Sequence, residues 1–432
     1  MPKRFLGPRQ AAAKLRQSWA ISQPEPAICL PVAVTLQPMS TTNGQRNGDG
    51  IVIIGGGLAG QRCAETLRRS GYEGKLRLVC AEAHRPYDRP PLSKELLAGA
   101  RNEESLAYRS LDWYESHSVD VVIGVSATEL RPAERQIAMS DHTTLRYDRA
   151  LIATGCRPRT LPLLAGYENV SLLRTLDDSA ELRDAVSGRP RLAVIGGGFI
   201  GQEVAATARG LNAEVTMIEA AAFPLQGILG AAVGGWFAEL HRAEGVEVIT
   251  GCTVSRVEGN GRVRALRLSN GQRLAIDHVL VAVGVAPNTG WLAGSGLDAE
   301  PGIRVDEHGR TAIPTVMAAG DASRTFDPQL GTHVLGSHWE AAANQGATAA
   351  RVMLGLDPGR PPSSSFWTDQ YGIRIQYVGH AQLADRVTFE GEPGLRNFTA
   401  LFTGGGRVVA ALLVNRSRAL PRARNLVEKG TT

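Results

Sequence analysis

Two glycine triplets in this chain share one spacing: Gly55, Gly57 and Gly60, then Gly196, Gly198 and Gly201. Each follows a short apolar run, IVII (51–54) or LAVI (192–195). Each opens helix-forming sequence that leads to a second apolar run ending in an acid, Glu82 or Glu219. The spacing suits a phosphate site. The first glycine makes a tight turn, the second lets backbone N–H groups approach a pyrophosphate, and the third lets helix and strand pack closely. The helix N-terminus adds the positive end of its dipole, and the acid is placed to accept from ribose hydroxyls. A lone GxGxxG is a common glycine-rich turn; two copies, each in strand–turn–helix–strand–acid context, are specific. Two nucleotide sites in one chain suggest two nucleotides that meet, and hydride exchange between a nicotinamide and a flavin is the usual reason. After Glu219 the sequence AAAFP offers no arginine to accommodate a 2′-phosphate, which favours NADH over NADPH.

The stretch RPYDRPPLSKELL (85–97) follows the first unit and holds three prolines, two arginines, Tyr87 and Lys94. Pro90 disfavours the α region for Arg89, and LSKELL has the form of a helix start. Proline stiffness lowers the entropy of holding two cations, Arg89 and Lys94, against a ligand. Without that context Lys94 would be an ordinary solvated lysine. Further on, TVMAAGDAS (315–323) is a strand ending at Gly320 and Asp321. Downstream of two nucleotide units its carboxylate can serve a ribityl hydroxyl; alone, Gly-Asp is a turn.

The elements that position these residues come from 432 residues, enough for two or three domains. Hydrophobic content of 43% and charged content of 21% are ordinary globular values. No apolar run reaches the length of a membrane helix. YDRALIATGCRPR (147–159) and DHVLVAVGVAPNT (277–289) are apolar strands ending in small-residue turns, expected as chain crossings out of the first domain and back. GIRIQYVG alternates as a strand, and RNFTALFT and RVVAALLVN flank a glycine turn as a hairpin. The five cysteines, at 29, 63, 80, 156 and 252, form no CxxC, so neither a zinc site nor a vicinal redox pair is signalled. Their scatter suits a reducing cytoplasm. The net charge of +5 is mostly a tail: residues 1–38 carry five basic residues against Glu25. That leaves little for nucleic-acid binding. The tail lacks a signal-peptide h-region, and residues 1–48 are expected to be a disordered extension rather than a transit segment.

In these motifs the chain resembles the ferredoxin reductases of bacterial oxygenase systems, the group with the reductase components of aromatic-ring dioxygenases and the putidaredoxin and rubredoxin reductases. The resemblance runs from about 49 to 425. RPYDRPPLSKELL carries it most specifically, and LIATGCRPR, LRTLDD, VIGGGFIGQEVAATA, VGVAPNT, MAAGDAS and HWEAAANQGATAA follow in order.

It implies an α/β fold of two Rossmann-like dinucleotide-binding domains, glutathione-reductase-like, with a C-terminal α+β domain. The expected boundaries are an FAD-binding domain over 49–155 and 284–338, an NAD-binding domain over 156–283, and a C-terminal domain over 339–432. FAD would be held by Gly55, Gly57, Ala59, Gly60, Glu82, Arg89, Ala127, Ala153, Thr154, Gly155, Arg174, Asp321 and Trp339, with Arg89 at the pyrophosphate or ribityl and Trp339 beside the flavin ring. NAD would be held by Gly196, Gly198, Phe199, Ile200, Gly201, Glu219 and Gly284. Lys94 would sit near the reactive flavin edge, paired with Glu203. NADH would deliver hydride, and single electrons would leave to a 2Fe–2S ferredoxin feeding an oxygenase, or to a rubredoxin. Related thiol-dependent enzymes carry redox cysteines; residues 83–100 contain none, which argues against an NADH oxidase or peroxidase. A flavoprotein sensor remains a non-enzymatic alternative. Arg416, Arg418, Arg422 and Arg424 form a candidate docking face for an acidic partner, or a merely solvated one. A cytoplasmic monomer or homodimer is expected, with no metal, nucleic-acid or membrane partner.

Overall fold

A computed structural model describes residues 48–429 except Ser337. Apart from Gly48, the N-terminal tail of the sequence reading lies outside the described residues. Asp49–Thr432 forms one compact unit.

Continuous apolar runs of four or five residues bury both faces of a strand, which suits a parallel sheet covered on both sides. Two such sheets form. The first orders its strands Val316–Ala318, Arg149–Ile152, Ile51–Ile54, Leu76–Cys80 and Val119–Ile123, all parallel. The second orders Val170–Ser171, His278–Val281, Arg191–Ile195, Glu214–Ile218 and Glu247–Ile249, again all parallel. The two orders correspond strand for strand. Each unit also carries a three-stranded antiparallel meander, from Ala127 to Arg146 in the first and from Val254 to Ala275 in the second. Where the chain crosses between the sheets, Cys156–Pro158 pairs antiparallel with Val285–Pro287. A third, antiparallel sheet orders Ser365–Gln370, Ile373–Gly379, Arg407–Val414, Asn397–Gly404 and Arg386–Glu392. The fold is α/β, with two Rossmann-like units and a C-terminal α+β part.

Three local expectations need correction. LSKELL does not start an α-helix: Pro90–Ser93 is a single 3-10 turn, and Lys94–Gly99 continues as non-helical turns. Lys94 leaves the helical region (φ −125°, ψ −100°) to send its side chain into the interior. Arg89, expected outside the α region, takes φ −88° and ψ −31°. Three short contacts of its guanidinium, described below, offset the steric penalty from Pro90. Finally, helix Trp339–Met353 does not pack with the C-terminal sheet alone. Its Ala349, Ala350 and Met353 share a core with Ile51, Ile53 and Leu67 of the first unit. Gly346 explains the closeness, since a Cβ there would fall 2.1 Å from the Ala59 carbonyl oxygen.

Candidate functional site

Both glycine turns are built alike. Gly55 and Gly196 take positive φ, +122° and +108°, and a Cβ at either would strike the carbonyl oxygen of Ala153 or Ala282, at 2.0 or 2.3 Å. A Cβ at Gly60 or Gly201 would lie 2.0 or 2.1 Å from the Gly55 or Gly196 carbonyl oxygen, so only glycine lets helix and strand meet. Gly57 and Gly198 differ: their backbones are extended, and the nearest atom to an added Cβ is 4.0 Å away or farther. Space lies in front of them. Helices Leu58–Arg69 and Phe199–Gly210 begin there with no side-chain cap and no acid in the first turn. Their first N–H groups therefore lack side-chain acceptors and carry the positive dipole end toward that space.

Around the first turn, residues distant in sequence converge. Glu82, just past its strand, accepts from Arg89 at 2.5 Å and from the Tyr87 hydroxyl. Arg89 also donates to Tyr87 Oη at 2.8 Å and to the Arg174 carbonyl at 2.6 Å. Arg174 itself donates to Asp321 at 2.9 Å, and the Cys156 thiol to the same carboxylate oxygen at 3.1 Å. Helix Leu176–Val186 fixes Arg174: in its capping box Asp178 accepts from the Thr175 and Arg174 N–H groups. Ala153, Thr154 and Gly155 close the turn from the neighbouring strand, with Thr154 and Gly155 bonded to Asn288 of the returning crossing. Gly155 holds φ +65°, and a Cβ there would press on Arg174 at 3.3 Å. Ala59 sits behind, against Gly320 and Gly346. Trp339 donates to Asp88 at 2.7 Å and stands edge-on to Trp367, with centroids 5.4 Å apart. Ala127 opens the adjoining meander, just past Gly124, whose N–H donates to the Glu82 carbonyl.

The second turn is less crowded. Glu219 accepts from the N–H groups of Gly197 and Ala221, each at 2.7 Å. Beside it lies a cavity of about 390 Å³ whose lining includes Leu163, Ile195, Ile218, Glu219, Val254 and Gly284. Phe199 packs on Phe366 of the C-terminal sheet at 4.6 Å, while Ile200 is exposed.

Lys94 and Glu203 lie where the two units and the third sheet meet. Lys94 Nζ is 2.7 Å from Glu203, and both side chains are 6% exposed. An ion pair this dry persists only with further hydrogen bonds. Ser93 donates to the same Glu203 oxygen, and Thr368 of the third sheet to the other, at 2.7 Å. Sequence reasoning missed Ser93, Thr368, Asp88 and the Tyr87 contact to Glu82. Ser93 and Asp88 were within reach, being inside the proline-rich stretch; Thr368 sits on a strand whose sequence gives no local signal.

Among the described residues the four cysteines are free and buried. Burial pushes the Cys80 and Cys156 thiols up to about 12, and Cys63 higher. All three are neutral near pH 7 and poor nucleophiles. The arginine cluster divides. Arg416 bonds the Glu390 carbonyl at 2.9 Å and Arg424 pairs with Glu340 at 3.0 Å, whereas Arg418 and Arg422 are exposed and form no ion pair among the described residues.

Residues 49–346 match the pyridine nucleotide-disulphide oxidoreductase family, and residues 365–432 match a reductase C-terminal family. The chain belongs to the pyridine nucleotide-disulphide oxidoreductase family. It is 36% identical to putidaredoxin reductase CamA of Pseudomonas putida, over 88% of this chain and 92% of that one. It is 38% identical to the biphenyl dioxygenase system ferredoxin–NAD(+) reductase component of Paraburkholderia xenovorans, over 88% and 93%. The reductase in a covalent putidaredoxin reductase–putidaredoxin complex superposes with a TM-score of 0.86 at 35% identity, covering 88% of this chain and 93% of that one. The chain is thus an oxidoreductase of the ferredoxin-reductase type.

Proposed function

We propose that this protein oxidises NADH through a bound FAD and passes electrons singly to a small 2Fe–2S ferredoxin that serves an oxygenase. The observation that carries this reading is the buried Lys94–Glu203 pair, which ties the proline-rich stretch that follows the first glycine turn to the helix that opens at the second, while burial keeps the Cys80 and Cys156 thiols neutral. The relatives support the acceptor: they are named for ferredoxin or putidaredoxin and for oxygenase systems.

The residues of the first turn fit a flavin dinucleotide. Gly57 leaves room for phosphate before a helix N-terminus, and Glu82, Arg89, Arg174 and Asp321 supply donors and acceptors on all sides. When bound, FAD supplies the conversion from two-electron uptake to one-electron release. Arg89 and Glu82, which pair with each other, would separate their roles between pyrophosphate and ribose, and Asp321 with Arg174 would hold the ribityl chain. Trp339, fixed by Asp88, would flank the ring and exclude water. Lys94, held in place by Glu203, whose carboxylate Ser93 and Thr368 also bond, would present its side-chain nitrogen to the reacting edge. Around the second turn Glu219 and the apolar cavity would select and hold the NADH adenosine. No general acid or base is needed for hydride delivery, so catalysis is positioning and electrostatics. The domain limits proposed are those of the sequence reading, with helix Trp339–Met353 counted in the first core. A cytoplasmic setting fits the buried free thiols; among the described residues no helix is long and apolar enough to cross a membrane.

The test is NADH-driven reduction of a 2Fe–2S ferredoxin from the same genome, followed anaerobically at the iron–sulfur absorbance. Turnover should exceed NADH consumption by oxygen alone, and faster reduction of a rubredoxin would reassign the acceptor. If neither is reduced faster than oxygen, the electron-carrier reading fails.

A further inference from the structure

His241 lies in the last turn of the helix Gln226–Ala243 and is fully buried. Both ring nitrogens have partners: Nδ1 meets the Tyr371 hydroxyl at 2.7 Å and Nε2 meets Gln202 Oε1 at 3.1 Å. Gln202 in turn donates its Nε2 to the carbonyl oxygen of Gly197 at 2.8 Å. The chemistry of the groups sets a direction. An amide oxygen can only accept, so Nε2 of His241 carries the proton and Nδ1 accepts from Tyr371. Burial lowers the histidine to about 4, so it stays neutral and keeps that tautomer near pH 7. Every bond from Tyr371 onward therefore donates toward the second glycine turn.

The far end of the chain is the middle residue of that turn. Gly197 N–H is already bound by Glu219 at 2.7 Å, so the residue is held through both its N–H and its carbonyl. The near end belongs to the C-terminal sheet. Tyr371 turns the hairpin between Ser365–Gln370 and Ile373–Gly379 at φ +54°, a conformation tyrosine rarely adopts. The first unit has the same residue at the same place, Gln61 after Gly60, but uses it differently. The Gln61 side chain donates to Glu65 and accepts from Tyr114, and forms no bond to the glycine turn.

We propose that Tyr371, His241 and Gln202 are positioning residues through which the C-terminal sheet sets the Gly197 peptide, and with it the affinity of the second turn for its nicotinamide dinucleotide. This rests on the assignment of NAD to that turn. None of the three needs to touch the dinucleotide; they act by fixing the loop that does.

The decisive variant is Tyr371→Phe, which removes one hydroxyl at nearly constant volume, studied in the full-length flavin-loaded protein. NAD+ affinity is measured by calorimetry, and backbone exchange by deuterium uptake in the peptide spanning 193–202. Loss of one relay hydrogen bond is expected to weaken NAD+ by roughly fivefold. Exchange at the turn should quicken while the flavin spectrum stays unchanged. His241→Leu should act in the same direction. His241→Gln, which offers an acceptor and a donor in the same order, should recover most of the affinity. Should His241→Leu not fold, Tyr371→Phe still decides. A lowered melting temperature with unchanged NAD+ affinity and unchanged exchange would reduce the relay to packing and overturn it. If the wild-type protein itself binds no NAD+, the dinucleotide assignment fails first, which the variants cannot mimic.

Discussion

The two glycine turns are nearly superimposable in their chemistry, yet they open onto different surroundings. Both use a positive-φ glycine under a carbonyl oxygen, an open second glycine and a third packed on the turn. Their acids part company. Glu82 is bound by side chains, Arg89 and Tyr87, from the proline-rich stretch that follows it. Glu219 is bound by backbone N–H groups of its own unit. Over the first turn Arg89, Arg174, Asp321 and Trp339 arrive from four separate parts of the chain. Beside the second there is an apolar cavity. A repeated local pattern thus fixes a turn, while residues crossing from elsewhere decide whether a ligand there is enclosed or free to exchange. The first arrangement suits a resident dinucleotide and the second a dinucleotide that comes and goes.

The largest effect that could break this contrast comes from paired substitutions. A Cβ added at Gly57 or Gly198 meets no protein atom closer than 4.0 Å, so Gly57→Val and Gly198→Val should fold. Gly57→Val should abolish flavin retention, leaving a colourless protein. Gly198→Val should stay yellow and lose NADH affinity. A yellow Gly57→Val protein with full flavin occupancy would remove the assignment of the first turn.

A second contrast lies in acid. In the second unit burial lowers both His241 and His278 to about 4; in the first, burial lowers His338, but His84, His117 and His142 are not buried. Since the folded value lies below the unfolded one, the unfolded state binds more protons between those values. Stability therefore falls as pH drops from about 6.5 toward 4. From pH 7 to 5 His241 should cost about 2 kcal/mol. Urea unfolding of the wild type and of His241→Gln at both pH values checks this. Equal pH slopes would contradict it.

The smallest effect is on coenzyme choice. Glu219→Ala should raise NADPH use relative to NADH by about tenfold, because a like-charge contact worth about 1–4 kcal/mol is removed. Glu82→Ala should weaken flavin retention and leave the NADH to NADPH ratio of kcat/KM alone. If both substitutions shift the ratio equally, the two turns are not distinguished by their acids.

Much of this was legible in the sequence because it is local. Strand, GxGxxG, helix and acid follow one another within about thirty residues, and each glycine answers to a nearby carbonyl. The prolines mark the stretch that carries Arg89 and Lys94, but not the path its backbone takes. A helix was expected at LSKELL, but the pull of Lys94 toward Glu203, 109 residues away, overrides local helix preference. Thr368 and His241 were invisible for a related reason. Their roles exist only after the third sheet docks, and neither belongs to a pattern with a period or a fixed spacing. Of the four arginines near the C-terminus, sequence showed the clustering but not that Arg416 and Arg424 are engaged internally.

The ribbon that joins Cys156–Pro158 to Val285–Pro287 also has a bearing on inheritance. Between those two short strands lies the whole second Rossmann-like sheet, and the chain enters and leaves it side by side. Arg159 and Gly284 are themselves hydrogen-bonded, N–H to carbonyl, at 2.9 Å. An insert whose ends already touch can be excised or exchanged without moving the termini of its host. Coenzyme preference is in this sense a cassette. A homologous 160–283 segment spliced in at the ribbon brings its own acid, cavity and turn, and it must also carry a counterpart of Arg174, which reaches from the insert to Asp321 and Arg89 on the flavin side.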